Sequence, residues 1–144
     1  MYTARTLRFI LVVATVPSFL VIFGYPNEGW TLVMKYAHGQ DMGGAKNLLD
    51  LWTGNHTVNE GDEEAMSIAS DSKTYKSSIV DDWTNYSLSA VRVSFVTGGT
   101  EKAYVVFDAL GSNKTNWFNK YRILYSSWND LNSQSTTNYD SIYG

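Results

Sequence analysis

Cysteine is absent from this chain, and with it go disulfide staples, thiolate zinc sites and cysteine nucleophiles. Stability must come from apolar packing, for which five Trp, ten Tyr and six Phe supply ample material. Histidine is almost as scarce. Only His38 and His56 occur, neither within a His-Glu-x-x-His spacing, and no Gly-x-Ser-x-Gly turn accompanies them. Zinc chemistry and a nucleophilic triad therefore have no support. Cations are few and not clustered, which disfavours a polyanion such as nucleic acid as partner. A long hydrophobic run is missing too: the longest, Phe9 to Phe23, covers 15 positions and is interrupted by Thr15, Pro17 and Ser18. A helix needs about 20 apolar residues to cross a bilayer.

That run follows Arg5 and Arg8, and the chain after Gly24 is polar and mixed, which is the layout of a secretory signal peptide. Residues 1–24 are read as an address, with an uncleaved signal-anchor as the alternative, and no stable membrane insertion is expected after cleavage. The cleavage site is weakly marked, because Gly24 is small but Ile22 two residues before it is not. Removing 24 of 144 residues leaves 120, enough for one domain with its own core. The loss of Arg5 and Arg8 leaves 9 Lys plus Arg against 14 Asp plus Glu, a net charge of −5. Residues 25–131 are read as that domain, and 132–144 as a polar tail rich in Ser, Thr and Asn. The end, Tyr139 to Gly144, reads as mid-strand, so a truncated chain and an abbreviated gene product both stay open.

Trp30 to Tyr36 alternates Trp30, Leu32, Met34 and Tyr36 against Thr31, Val33 and Lys35, which predicts a half-buried strand. Leu88–Thr97 and Lys102–Leu110 flank Thr97-Gly98-Gly99-Thr100, whose glycines suit a hairpin turn. The inward set is Val91, Val93 and Phe95 with Tyr104 and Val106, or the opposite set, since both faces are apolar. A central place in a sheet covered on both sides follows. Three helices are predicted: one carrying Ala45, Leu48, Leu49 and Trp52 and capped by Gly54, one over Thr74–Trp83, and one from about Thr115 bearing Trp117, Phe118, Tyr121, Leu124 and Trp128. The fold class is α+β, a mainly antiparallel sheet with a hairpin at about 88–110 and short flanking helices.

Candidate chemistry is sparse. Asn59, Glu60, Asp62, Glu63 and Glu64 offer the oxygen types that calcium takes, without EF-hand spacing, and a solvated acidic loop is the plainer reading. A glycosidase needs two acids facing each other across a cleft, a role open only to members of this group with Asp81 and Asp82. Asn55, Asn85 and Asn113 head Asn-x-Ser/Thr sequons, all in predicted loops. Their number is what an Asn-, Ser- and Thr-rich chain gives by chance. Trp52, Trp83, Trp117 and Trp128 could stack on sugar rings, yet each also lies on an apolar stripe where core packing explains it. Tyr121, Tyr125 and Tyr139 are weaker candidates.

The phrase Gly29-Trp30-Thr31-Leu32-Val33-Met34-Lys35 resembles the opening strand of fibrinogen C-terminal-like domains, including their intelectin-type lectin relatives. Leu51-Trp52, Tyr75-Lys76, Trp83 and the strand at Val91 extend the likeness loosely to secreted invertebrate fibrinogen-related proteins. The resemblance implies a secreted module that binds glycans, acetylated groups or other proteins, often with calcium. The family's ligand residues lie in a C-terminal portion with no counterpart here, so none is carried over. The expectation is a non-enzymatic recognition module for carbohydrate or an extracellular partner, with a structural matrix component and a glycosidase-like enzyme as alternatives.

Overall fold

The structure, a computed structural model, describes residues 18–25, 29–69 and 73–128. Six antiparallel strands form one sheet: β1 (Ser18–Tyr25), β2 (Gly29–Ala37), β3 (Tyr75–Lys76), β4 (Ala90–Thr97), β5 (Thr100–Asp108) and β6 (Ile123–Ser126), in the order β3-β2-β1-β4-β5-β6. Among the described residues, two short helices, α1 (Leu48–Thr53) and α2 (Glu63–Met66), and 3-10 turns at Ser78–Val80, Trp83–Asn85 and Lys120–Arg122 accompany the sheet. The architecture is the expected α+β class. None of its helices is long and apolar enough to cross a membrane, among the described residues.

The leader expected over 1–24 overlaps this sheet. Residues 1–17 lie outside the described residues, but Ser18–Tyr25 is a strand bonded on both sides, running from Ser18↔Ala37 to Tyr25↔Gly29 against β2 and from Ser18↔Val96 to Gly24↔Ala90 against β4. Its apolar sequence suits an interior strand as well as it suits a leader. Opposite it, β2 carries a bulge: Val21 aligns with Met34 and Ile22 with Leu32, leaving Val33 extra. Both Val33 and Met34 consequently join one core cluster. The expected strict alternation fails here, since Val33, Met34 and Lys35 are all buried.

The hairpin forms as expected, with Gly98 and Gly99 at φ 55° and 74° in a two-residue turn that needs positive φ at both positions. Its register corrects the expected pairing. Val91, Val93 and Phe95 align with Phe107, Val105 and Ala103, whereas Tyr104 and Val106 align with Ser94 and Arg92 on the other face. The first set enters the core with Leu48 and Leu51 of α1, Val58, Val80, Trp83 and Trp117.

α1 begins at Leu48, where the Asn47 side chain accepts from the Asp50 N–H at 2.9 Å, and Gly54 ends it by donating its N–H to the Asp50 carbonyl. The other two expected helices are corrected. Tyr75–Lys76 is a strand pairing with β2, after which the Ser77 hydroxyl accepts from the Ile79 N–H and starts a 3-10 turn. In the third segment Asn119 caps the turn Lys120–Arg122, which delivers the chain into β6.

Candidate recognition site on the β4–β5–β6 face

Three of the four Trp proposed as stacking residues come together, but inside. Trp83 and Trp117 stack at 6.1 Å between ring centroids, and Trp52 meets them at 6.2 and 5.6 Å. Phe107 closes the group edge-on to Trp117 at 5.3 Å. The indole N–H of Trp52 donates to the Lys114 carbonyl at 2.6 Å and that of Trp83 to the Ser112 carbonyl at 3.0 Å. The trio thus pins the 112–117 loop to the core, with Trp83 and Trp117 buried and Trp52 half-buried. Trp128 stands apart, exposed and edge-on to Phe95 at 6.0 Å.

The acidic candidates do not converge either. Glu60 Oε1 accepts from Ser77 Oγ, Ser78 N and Ser78 Oγ at 3.0, 2.8 and 2.9 Å. Burial pushes its carboxyl up, but these three hydrogen bonds hold it below the ordinary range. Asp62 caps α2 through the Glu64 and Ala65 N–H groups and shares Lys73 with Glu64, at 2.8 and 2.9 Å. The Lys73 hydrogen bond, foremost, lowers the Asp62 carboxyl. Asn59, at φ 50°, donates to the Thr74 carbonyl, and Glu63 is exposed. No group of three or more His, Asp or Glu stands together as a metal site among the described residues. Asp81 lies between two ammonium groups, 3.1 Å from Lys76 Nζ and 2.9 Å from Lys114 Nζ, and Asp82 accepts from Asn85.

The sequon asparagines are exposed, as expected of acceptors. Asn55 Oδ1 receives Lys114 Nζ at 3.1 Å, Asn85 ends a 3-10 turn, and Asn113 Oδ1 gathers the Thr115 N–H, the Thr115 hydroxyl and the Asn116 N–H. His56 sits beside Asn55, and its Nε2 is buried without a hydrogen-bond partner.

A different surface combines exposed aromatics with fixed charge. The hairpin register puts Arg92, Ser94, Glu101 and Tyr104 on the sheet face opposite the main core, and Tyr125 of β6 joins them by aligning with Val106. Arg92 Nη2 reaches both Glu101 oxygens at 2.8 and 2.6 Å, while Ser94 Oγ donates to Glu101 at 2.6 Å. The Arg92 guanidinium lies 4.0 Å over the Tyr104 ring, and Tyr104 meets Tyr125 edge-on at 6.3 Å. Burial raises the Glu101 carboxyl, but the hydrogen bonds from Arg92 and Ser94 and the Arg92 charge bring it below the usual range. Tyr125 is 50% exposed and Tyr121, in the turn before β6, 84%. A flat aromatic beside an oriented guanidinium and carboxylate can stack on a ring and hydrogen-bond its hydroxyls. The sequence signal was weak: Arg92 and Ser94 alternate within an apolar strand, and Tyr125 ranked below the tryptophans.

Comparison with family models, with curated proteins and with solved structures yields no match to this chain.

Proposed function

We propose that the chain is a secreted, non-catalytic recognition module that binds carbohydrate or an extracellular partner through the Arg92–Glu101–Tyr104–Tyr125 face. The observation that carries this reading is the half-exposed Tyr125 ring held beside Tyr104, itself under a guanidinium that a bidentate carboxylate fixes. Such an arrangement is oriented before any ligand arrives, which reduces the ordering cost of binding. Export is supported by Arg5 and Arg8 ahead of the apolar run, and the exposed positions of Asn55, Asn85 and Asn113 are compatible with it. The fibrinogen-like phrase Gly29–Lys35 is consistent with the same role.

A glycan array probed with the full chain recovered from the medium of eukaryotic cells tests the reading. Binding that Tyr125→Ala weakens about tenfold or more, ~1.4 kcal/mol, while the melting temperature holds, supports it. Self-association by light scattering with no sugar competition points to the matrix alternative instead.

A further inference from the structure

A leader is cut after a small residue, and the obvious one here, Gly24, lies at the end of β1. Resting on the export reading above, we propose that the cut falls between Ala14 and Phe19, so that β1 remains in the mature protein as its second interior strand beside β4.

The first support is what β1 joins. All eight of its residues align with β2 and seven align with β4. A chain starting at Tyr25 leaves β2 and β4 about 10 Å apart, two strand spacings, with facing rows of unpaired N–H and C=O groups. It also divides the sheet into β3-β2 on one side and β4-β5-β6 on the other. A two-stranded piece has little stability of its own in water. The strands lining the gap are built for the interior: Val33, Met34, Lys35, Val91, Val93 and Ser94 are each at most 1% exposed. Leu20, aligned with both Lys35 and Ser94, is itself 2% exposed.

Gly24 supplies the second support. A Cβ there would stand 2.9 Å from the Trp30 ring, closer than real Cβ atoms approach. Its carbonyl accepts from the Ser89 N–H at 2.9 Å and the Ser89 hydroxyl at 3.1 Å. The Trp30 ring thus gives a structural reason for a residue without a side chain at 24, independent of any protease preference.

Third, an earlier cut leaves a serviceable leader. Phe9–Val16 is eight residues behind Arg5 and Arg8, within the roughly 7–15 of a signal-peptide apolar segment, with the small residue Ala14 inside it and Ser18 two positions beyond it.

The test is the intact mass, after deglycosylation, of the protein that eukaryotic cells export from the full 1–144 chain, for the native sequence and for Leu20→Ala. The substitution stays apolar, so the leader keeps its character, but it empties a buried position if residue 20 is retained. The expected result is an N-terminus between Thr15 and Phe19, with Leu20→Ala melting roughly 8 °C or more below the native protein. Export with Tyr25 at the N-terminus and no melting difference between the two overturns the proposal while leaving export intact. A chain exported uncut also overturns it, and a chain that never leaves the cell overturns both it and the export reading.

Discussion

Asp81 offers the sharpest test of how the loops are tied to the sheet. Its Oδ1 bridges Lys76 Nζ, whose side chain is fully buried, and Lys114 Nζ, whose side chain is 20% exposed. Lys76 also donates to the Gly54 carbonyl and Lys114 to the Thr53 carbonyl, so one carboxylate connects β3, the end of α1 and the 112–117 loop. Burial pushes the Lys76 ammonium below the ordinary lysine range, the Asp81 hydrogen bond and charge oppose this, and Lys114 adds to it. Asp81→Asn keeps the shape and removes the charge, leaving Lys76 buried without its counter-ion. Breaking a buried pair in this way costs about 3–5 kcal/mol. Because Asp81 is itself 20% exposed and Lys76 keeps the Gly54 carbonyl, the lower end, about 3 kcal/mol, is expected, a fall in Tm of roughly 10 °C. Lys76→Met removes the buried charge with little change in length and is expected to stay within about 1 kcal/mol of the native protein. The double variant should then recover about 2 kcal/mol of the Asp81→Asn loss, a coupling measurable by urea denaturation of all four proteins. The sign with pH is also fixed. A lysine lowered by folding binds fewer protons than in the unfolded chain between its two pKa values, so its penalty is full below the folded value and disappears as pH rises toward about 10.4. Asp81→Asn widens that window downward, and its stability should rise more steeply between pH 8 and 10 than that of the native protein. An Asp81→Asn loss below about 0.5 kcal/mol, or a double variant no better than Asp81→Asn, would refute the reasoning.

Trp83→Ala empties the aromatic trio and strands the Ser112 carbonyl, and denaturant melts should show a loss of about 3–5 kcal/mol together with a weakened near-ultraviolet tryptophan band. In the hairpin turn, alanine at either glycine costs about 1–2 kcal/mol for its positive φ. Gly99→Ala should cost more than Gly98→Ala, because its Cβ meets Ala69 Cα at 3.1 Å while the space at Gly98 is open. Glu101 is lowered by folding, so its contribution is present above the unfolded value of about 4.3 and is lost as pH falls through the folded one. Glu101→Gln should therefore flatten the fall in melting temperature between pH 5 and 2.5, and an unchanged acid slope would count against the Arg92–Glu101 pair.

The elements legible in the sequence were those in which one physical rule dominates. The Gly98-Gly99 turn could only be a tight reversal, and the stripe Ala45, Leu48, Leu49 and Trp52 with Gly54 after it located α1 within a few residues. Where two rules compete, the reading failed. Trp117, Phe118, Tyr121 and Leu124 are spaced as a helical stripe, but Trp117 belongs to the trio and Asn119 redirects the chain through a turn into an edge strand. Tyr75 and Lys76 are adjacent and both buried, which defeats an alternation test because the sheet is covered on both faces there. β1 was concealed in a related way, because the apolar segment Ser18–Tyr25 reads equally as a leader and as a strand hydrogen-bonded on both sides.

The candidate surface was hidden for a related reason. Aromatic stacking was sought in tryptophan, the largest ring, yet size also makes tryptophan the most favourable residue to bury, and Trp52, Trp83 and Trp117 together organise the loop side of the sheet. The tyrosines could be left at the surface because their hydroxyls are at ease in water. On the second face, the bulge between Phe95 and Val96 shifts the register so that Val96 aligns with Glu101 while Ser94 aligns with Tyr104. That shift brings a carboxylate from just beyond the turn within reach of an arginine nine residues earlier. Charge is thereby neutralised locally and held rigid, while Tyr125 on the neighbouring strand remains available. A surface of this kind favours ligands that present a flat apolar ring face beside hydroxyl groups over ligands recognised by net charge alone, and the overall charge of −3 further disfavours anionic ones.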